Sequence, residues 1–264
     1  MKLYIGSRAL KPEGYKTVDL DPGYQPDFLT DASDLSCIPS GSTQEVYASA
    51  ILEHMSWPKG YLALSEWARV LETGGVLKVS VPDMKLLCSL VAQGVNPSHC
   101  IGMIYGTERW SNPLEAHQYG FTRETLTEML HVLGFGEFDT WESDLGDASS
   151  GWLYLVNGEQ VAVSLNIRAT KIRPPLVETT QLLPALQRDL LAPFMAAVRE
   201  AAGQSALPAL DADIVATTQQ RLLFKLIDAN QRIEHLEGQL QRARRRSVSA
   251  RFKSMKRRIK SMMG

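Results

Sequence analysis

The chain has 264 residues, 44% of them apolar, with a formal net charge of −1. That is enough for one α/β domain with an appendage, and it argues against wholesale disorder; no run of about 18 apolar residues occurs, which excludes a membrane-spanning helix. Ten Lys/Arg and no Asp/Glu fall in residues 242–264, leaving −11 on residues 1–241, so nucleic acid is the least favoured partner of the acidic body and an anionic surface suits the tail.

In chain order, short runs rich in Val, Ile, Leu or Tyr predict strands over about 2–6, 16–20, 26–30, 44–49 and 75–81. The last run is nearly continuous apolar sequence, which suits a buried parallel strand. Before it, Tyr61, Leu62, Leu64, Trp67, Ala68 and Leu71 share one face of a helix, with Pro58 near its start and Gly74-Gly75 expected after its end. Strands alternating with helices imply right-handed crossovers and a mostly parallel sheet. Only about nine residues join the first two strands, so the early helices are trimmed away.

Residues 84–93 read as a further helix, and 94–119, rich in Gly, Asn, Pro and aromatics, as a long loop. Residues 122–133 form a helix with Thr122 as N-cap and Gly134 as stop, and 135–141 and 161–171 read as closing antiparallel strands. The fold class is therefore α/β, a trimmed Rossmann-like sheet with an antiparallel closing strand and a C-terminal helical extension. Pro174-Pro175 marks the end of a domain over 1–173, followed by a helical linker over 174–218. Leu222, Leu226, Ala229, Ile233, Leu236, Leu240 and Ala243 alternate at spacings of four and three, a coiled-coil seam within 219–246 that predicts a homo-oligomer. In the tail, 247–264, Phe252, Met255 and Ile259 share a stripe with Arg257 and Arg258 beside it, a basic amphipathic helix suited to an anionic membrane surface.

In a sheet of this kind ligands bind beyond the carboxyl ends of the strands, where the strand order switches. Gly6 and Ser7 follow the first strand, and glycine permits a sharp turn and a close ligand. Asp19 or Asp21 ends the second strand, where a carboxylate accepts from ribose hydroxyls. Asp31-Ala32 follow the third strand, and Ser49-Ala50 the fourth.

In this order the pieces resemble a class I S-adenosylmethionine (SAM)-dependent methyltransferase. The segment Glu66-Trp67-x-Arg69-Val70-Leu71-x-x-Gly74-Gly75-x-Leu77, after Leu52-Glu53-His54, is similar to small predicted methyltransferases of surface-polysaccharide gene clusters. The resemblance covers about residues 2–171, including Ile104-Tyr105-Gly106, His117-x-Tyr119-Gly120-Phe121 and Ser164-Leu165-Asn166. It implies SAM as cofactor, held by Gly6, Ser7, Asp19, Asp31, Ala32 and Ser49, with Asp31 accepting from the adenine amino group. It also implies a sugar or sugar-phosphate hydroxyl as acceptor.

Two departures bear on activity. Arg8 stands where the family has a second glycine, and a guanidinium there covers the cofactor, pairs with its carboxylate or blocks the pocket. Ala50 stands where the family has histidine. Both favour an alternative reading, a non-catalytic docking or scaffold protein of the same fold.

Methyl transfer needs in-line geometry above all, and a base helps when the acceptor is a hydroxyl. His54, His117 and Asp83 are the candidates; the plainer readings are a backbone contact for His54, a loop-ordering bond for His117 and a helix N-cap for Asp83. Tyr105, Trp110 and Tyr119 are candidates to stack on a sugar ring. His99, His131 and His235 have no partner at ligand spacing, so no metal is expected. Three cysteines without such spacing, and strand-like sequence from Lys2, predict a reducing, cytoplasmic location with no disulfide framework and no secretory signal.

Overall fold

The computed structural model describes residues 1–106, 115–143, 145–150, 153–156, 159–188 and 191–203. Trp110, the coiled coil over 219–246 and the tail, with Phe252, Met255, Arg257, Arg258 and Ile259, lie outside the described residues. All five early strand signals form strands: β1 (Lys2–Ile5), β2 (Tyr15–Asp19), β3 (Phe28–Leu29), β4 (Thr43–Ser49) and β5 (Leu71–Pro82). Later come β6 (Phe135–Asp139), a hairpin of β7 (Leu153–Val156) and β8 (Glu159–Ala162), and β9 (Ser164–Lys171).

Seven strands make one sheet in the order β3-β2-β1-β4-β5-β9-β6. The pairs among β1 to β5 are parallel, and β9 runs antiparallel to both β5 and β6. The order reverses between β1 and β4, as a Rossmann-like sheet requires for a crevice at its carboxyl edge. Of the parallel connections only that from β4 to β5 carries a full α-helix, α1 (Trp57–Val70).

Strand alternation gives the sheet two different faces. Leu3, Ile5, Val46, Ala48, Leu77, Val79, Leu165, Ile167 and Ala169 point into the main core with Tyr61, Leu64 and Trp67 of α1. Trp67 is fully buried and its indole N–H donates to the Ala32 carbonyl at 2.9 Å. Helix α1 ends without a glycine: Lys171 of β9 donates to the carbonyls of Ala68 and Leu71, both at 2.6 Å, satisfying the last turn from outside the helix.

Gly74-Gly75 follow α1 as expected, but they lie inside β5 and do not themselves stop the helix, which ends at Val70. Thr43 pairs with Leu71 and Glu45 with Val76, so Glu72–Gly75 bulge out opposite Gln44. Gly74 sits at φ +88°, and a Cβ on Gly75 would lie 2.8 Å from the Glu72 carbonyl oxygen. The expected loop over 94–119 is corrected, since it contains α3 (Pro97–Tyr105). Pro97 occupies the first turn, where a missing N–H costs nothing. Cys100, Met103 and Ile104 then pack against Leu86, Leu87 and Leu90 of α2 (Met84–Ala92).

Helix α4 (Arg123–Val132) starts as expected, with Thr122 and Thr125 in a reciprocal capping box. The single strand expected over 161–171 divides at Val163 into β8 and β9, and the Val163 carbonyl accepts from the Asp83 amide at 2.8 Å. Beyond Pro174-Pro175 come α5 (Thr179–Gln187) and α6 (Leu191–Gly203). Leu182, Leu186, Phe194 and Val198 join the same core, and the Phe194 ring lies 4.8 Å from Trp57 and 4.7 Å from Tyr61. The first part of the expected linker is therefore a layer over α1 and α4. Among the described residues no helix is long and apolar enough to cross a membrane.

The opposite face carries Tyr4 and Tyr47, stacked at 4.9 Å, with Trp141 edge-on to Tyr47 at 5.1 Å. Both phenols donate to Asp147, at 2.7 and 2.8 Å, and Ser149 donates to the same carboxylate. Burial raises the Asp147 carboxyl, but the bonds from Ser149, Tyr4 and Tyr47 outweigh it and hold it below its ordinary value. Its stabilisation is complete above the unfolded carboxylate pKa of about 3.9 and is lost as the pH falls below that towards the lower folded value. Asp147→Asn should destabilise the protein at neutral pH, and the gap from wild type should narrow as the pH falls through about 4. Urea denaturation at several pH values checks this, and a gap independent of pH would refute it.

Candidate active site

The crevice beyond β1 and β4 holds two adjoining cavities that share Gly6, Arg8, Ala50, His54 and Glu115 as walls. The smaller, about 170 Å³, reaches Asp19, Asp21, Asp31 and Ala32; the larger, about 660 Å³, reaches Ser7, Ser49, Glu53 and His117. Together they fall in the range of small-molecule sites, about 300–1,000 Å³.

Gly6 turns the chain out of β1 at φ +67°, with its amide donating to the Val18 carbonyl at 2.8 Å. A Cβ there would lie 2.4 Å from Ile51 Cδ1, so the glycine leaves space that a side chain would fill. Arg8 and Ala50, the two departures, both sit in the left-handed region, at φ +48° and +51°. A glycine at position 8 would hold that conformation without strain. The Arg8 guanidinium turns to Glu115 at 2.9 Å and forms part of the wall between the cavities.

Asp19, 9% exposed, accepts from the Arg8 amide at 2.8 Å through one oxygen and from the Asp21 amide at 2.9 Å through the other. Each carboxylate oxygen keeps a second lone pair for a ligand hydroxyl. Asp21 accepts from the Gly23 amide at 2.7 Å and caps the short turn Pro22–Tyr24. Asp31 accepts from the Ser33 amide at 2.9 Å and from Lys59 at 2.6 Å. Burial raises its carboxyl, while the bonds from Lys59 and Ser33 bring it net below the ordinary value.

In the larger cavity, Ser49 Oγ and Glu53 Oε2 are both buried with no hydrogen-bond partner among the described residues. Glu53 is 2% exposed, and burial pushes its carboxyl up to about 8. It does not pair with Arg69, which binds Glu66 at 2.7 Å instead. The His54 and His117 rings meet edge to face at 4.8 Å. His54 Nδ1 donates to the Ala116 carbonyl at 3.3 Å, and the backbone at Met103 and Ile104 accepts from His117. Burial holds both imidazoles below their ordinary pKa, and His117 nearby lowers His54 further. Each neutral ring therefore keeps one nitrogen lone pair.

Several expected residues stand apart from the cavity walls. Asp83 caps α2, accepting from the Leu86 amide at 3.0 Å, and does not line either cavity. Tyr105, 69% exposed, also lies outside both walls, and Tyr119 packs its ring on Phe121 at 5.0 Å. Residues not anticipated take their place: Ser98, His99, Gly102 and Met103 of α3, with Glu115 and Asp147. Pro97 was the available signal for α3; nothing local marked Glu115 as a partner of Arg8.

No family model and no curated protein matches this chain. Solved structures of low identity match part of the chain. One is a SAM-dependent methyltransferase from Archaeoglobus fulgidus, 17% identical, covering 64% of this chain and 85% of its own, with a TM-score of 0.45. Another, from Thermotoga maritima and described as a SAM-dependent methyltransferase and possible histamine N-methyltransferase, is 18% identical over 64% and 81%, with a TM-score of 0.44. A SAM-dependent methyltransferase from Methanosarcina mazei is 18% identical over 65% and 92%, with a TM-score of 0.42. The architecture stands on the strand order and register described above.

Gly6→Ala should cost about 1–2 kcal/mol from the backbone alone. The displaced Ile51 also lines the smaller cavity, so the loss should exceed that of Gly41→Ala, at an exposed glycine with φ +66° and open space where its Cβ would go. Chemical denaturation of both variants checks the difference.

Proposed function

We propose that the chain is a SAM-dependent methyltransferase whose acceptor is a hydroxyl of a sugar or sugar phosphate in surface-glycan assembly. The observation that carries this reading is the pair of joined cavities at the switch point, with Asp19 at the end of β2 under the smaller and His54 and His117 in the larger. The residues fit the cofactor: Gly6 leaves room for close approach, Asp19 has lone pairs for ribose hydroxyls, and Asp31 and Ala32, which line the same cavity, would hold the adenine. SAM supplies an electrophilic methyl group. The larger cavity would admit the acceptor, with His54 on the shared wall and His117 beside it to engage the hydroxyl. The sugar acceptor is supported by the sequence resemblance, and the two orphaned polar atoms, Ser49 Oγ and Glu53 Oε2, suit a polar ligand.

A second reading rests on the Arg8–Glu115 pair, which narrows the junction of the cavities, and on Ala50. It makes the chain a docking protein that holds glycan-assembly enzymes. Calorimetry with SAM separates the two, since a blocked junction yields no heat. On the first reading, Asp19→Ala should weaken SAM binding by about 1.5–3 kcal/mol, roughly 10- to 150-fold. Unchanged affinity in a folded variant would pass the ribose role to Asp21.

The sequence supports a working place as well: a cytoplasmic homo-oligomer through 219–246, held on an anionic membrane by 247–264. Cosedimentation with liposomes should require anionic lipid and weaken in salt. Replacing Phe252 and Ile259 by Ser should reduce it, and equal binding to neutral vesicles would overturn the lipid reading.

A further inference from the structure

Glu53, His54 and His117 each bring one ligand-type atom into a group whose members all lie within 4.8 Å of one another. The sequence expectation of no metal considered the spacing of other histidines and did not pair His54 with His117, which lies across the chain beyond α3.

Three observations bear on the group. Glu53 is almost fully buried, yet its Oε2 has no partner among the described residues and it lines the larger cavity. A buried carboxylate is costly unless a cation or hydrogen-bond donors compensate it. Both imidazoles give a ring N–H to a backbone carbonyl, His54 to Ala116 and His117 near Met103 and Ile104. That is how ligating histidines are commonly oriented, with the other nitrogen's lone pair free for a metal. The three side chains also converge from two separate segments onto one cavity wall, so open coordination positions would face the space that admits the acceptor.

We propose that Glu53, His54 and His117 form a binding site for a divalent first-row transition metal in the wall of the larger cavity. Two imidazole nitrogens and one carboxylate oxygen suit Zn²⁺, Fe²⁺, Mn²⁺ or Co²⁺ better than Mg²⁺ or Ca²⁺, which favour oxygen ligands. Bonds of about 2.0–2.2 Å need the side chains to draw together from their present spread. The metal would supply the missing partner of Oε2.

On the methyl-transfer reading, on which only this role rests, the metal coordinates the acceptor oxygen. The hydroxyl proton leaves to solvent, an oxygen lone pair forms the O–C bond as the S–C bond breaks, and S-adenosylhomocysteine keeps the electron pair of that bond. The imidazoles then act as ligands, and no separate base is needed.

The test uses full-length protein stripped by chelator, dialysed against Zn²⁺ or Co²⁺ and assayed for retained metal. One equivalent should be retained, and the zinc X-ray absorption edge should show two imidazoles with oxygen and no sulfur. Glu53→Gln and His117→Gln, checked for folding by circular dichroism, should each weaken retention at least tenfold. No stoichiometric retention by wild type, a sulfur-dominated shell, or folded variants that bind as wild type does would each overturn the site. Where a variant does not fold, the wild-type absorption edge decides alone. Calorimetry with SAM is a separate readout, so metal without SAM binding sinks the methyl-transfer reading and leaves the site standing, and SAM binding without metal does the reverse.

Discussion

The carboxyl edge of the sheet depends on one buried carboxylate. Asp19 accepts from the Arg8 amide and the Asp21 amide, joining the turn after β1 to the turn after β2. A bond to a charged acceptor is worth about 1.5–3 kcal/mol, more than an ordinary backbone bond. No helix lies between β1 and β2 to brace the crossing, so this carboxylate does locally what a packed helix does in a fuller fold. It also holds Arg8 in a left-handed conformation that an arginine seldom adopts alone. The geometry of the cavity walls at Gly6 and Arg8 follows from that contact.

The sheet's two faces divide the remaining work. One is a dry layer in which α1, α4, α5 and α6 bury their apolar sides on alternate strand residues. The other is polar and aromatic, with Tyr4, Tyr47 and Trp141 gathered over Asp147 and Ser149. Asn166 of β9 donates to the carbonyls of Trp141 and Ser149, at 3.2 and 2.8 Å, and ties the covering segment to the sheet. Asp147 belongs both to this cluster and to the wall of the larger cavity, so that cavity leans on the polar face.

The larger cavity concentrates the unusual chemistry of the molecule. Glu53 and Ser49 are buried there with orphaned polar atoms, and the two histidines beside them are held neutral by burial. Buried polar groups left unpaired are rare because they cost stability, and they gather where a ligand completes the bonding. The smaller cavity differs: its carboxylates already have backbone or lysine partners and keep only their spare lone pairs for a ligand.

By itself the sequence determined the five early strands, α1, the capped start of α4 and the positions of Gly6, Asp19 and Asp31 at strand ends. Those features are set by neighbours in the chain: apolar period, proline and glycine placement, and side chains that cap their own helix. It placed Gly74-Gly75 after α1 but did not show the bulge around them, which is created by the pairing of β5 with β4 and has no local signature apart from the glycines. It missed α3, a short run between Gly94 and Gly106 in a stretch whose Gly, Asn, Pro and aromatic residues resemble a loop until Cys100 and Ile104 find the side chains of α2. Only the tertiary structure decided that Tyr105 stays out of the cavity walls, that Arg8 meets Glu115 and that His117 meets His54. Each of those outcomes depends on segments far apart in the chain being brought together by the sheet and its packing, a constraint that no window of the sequence contains.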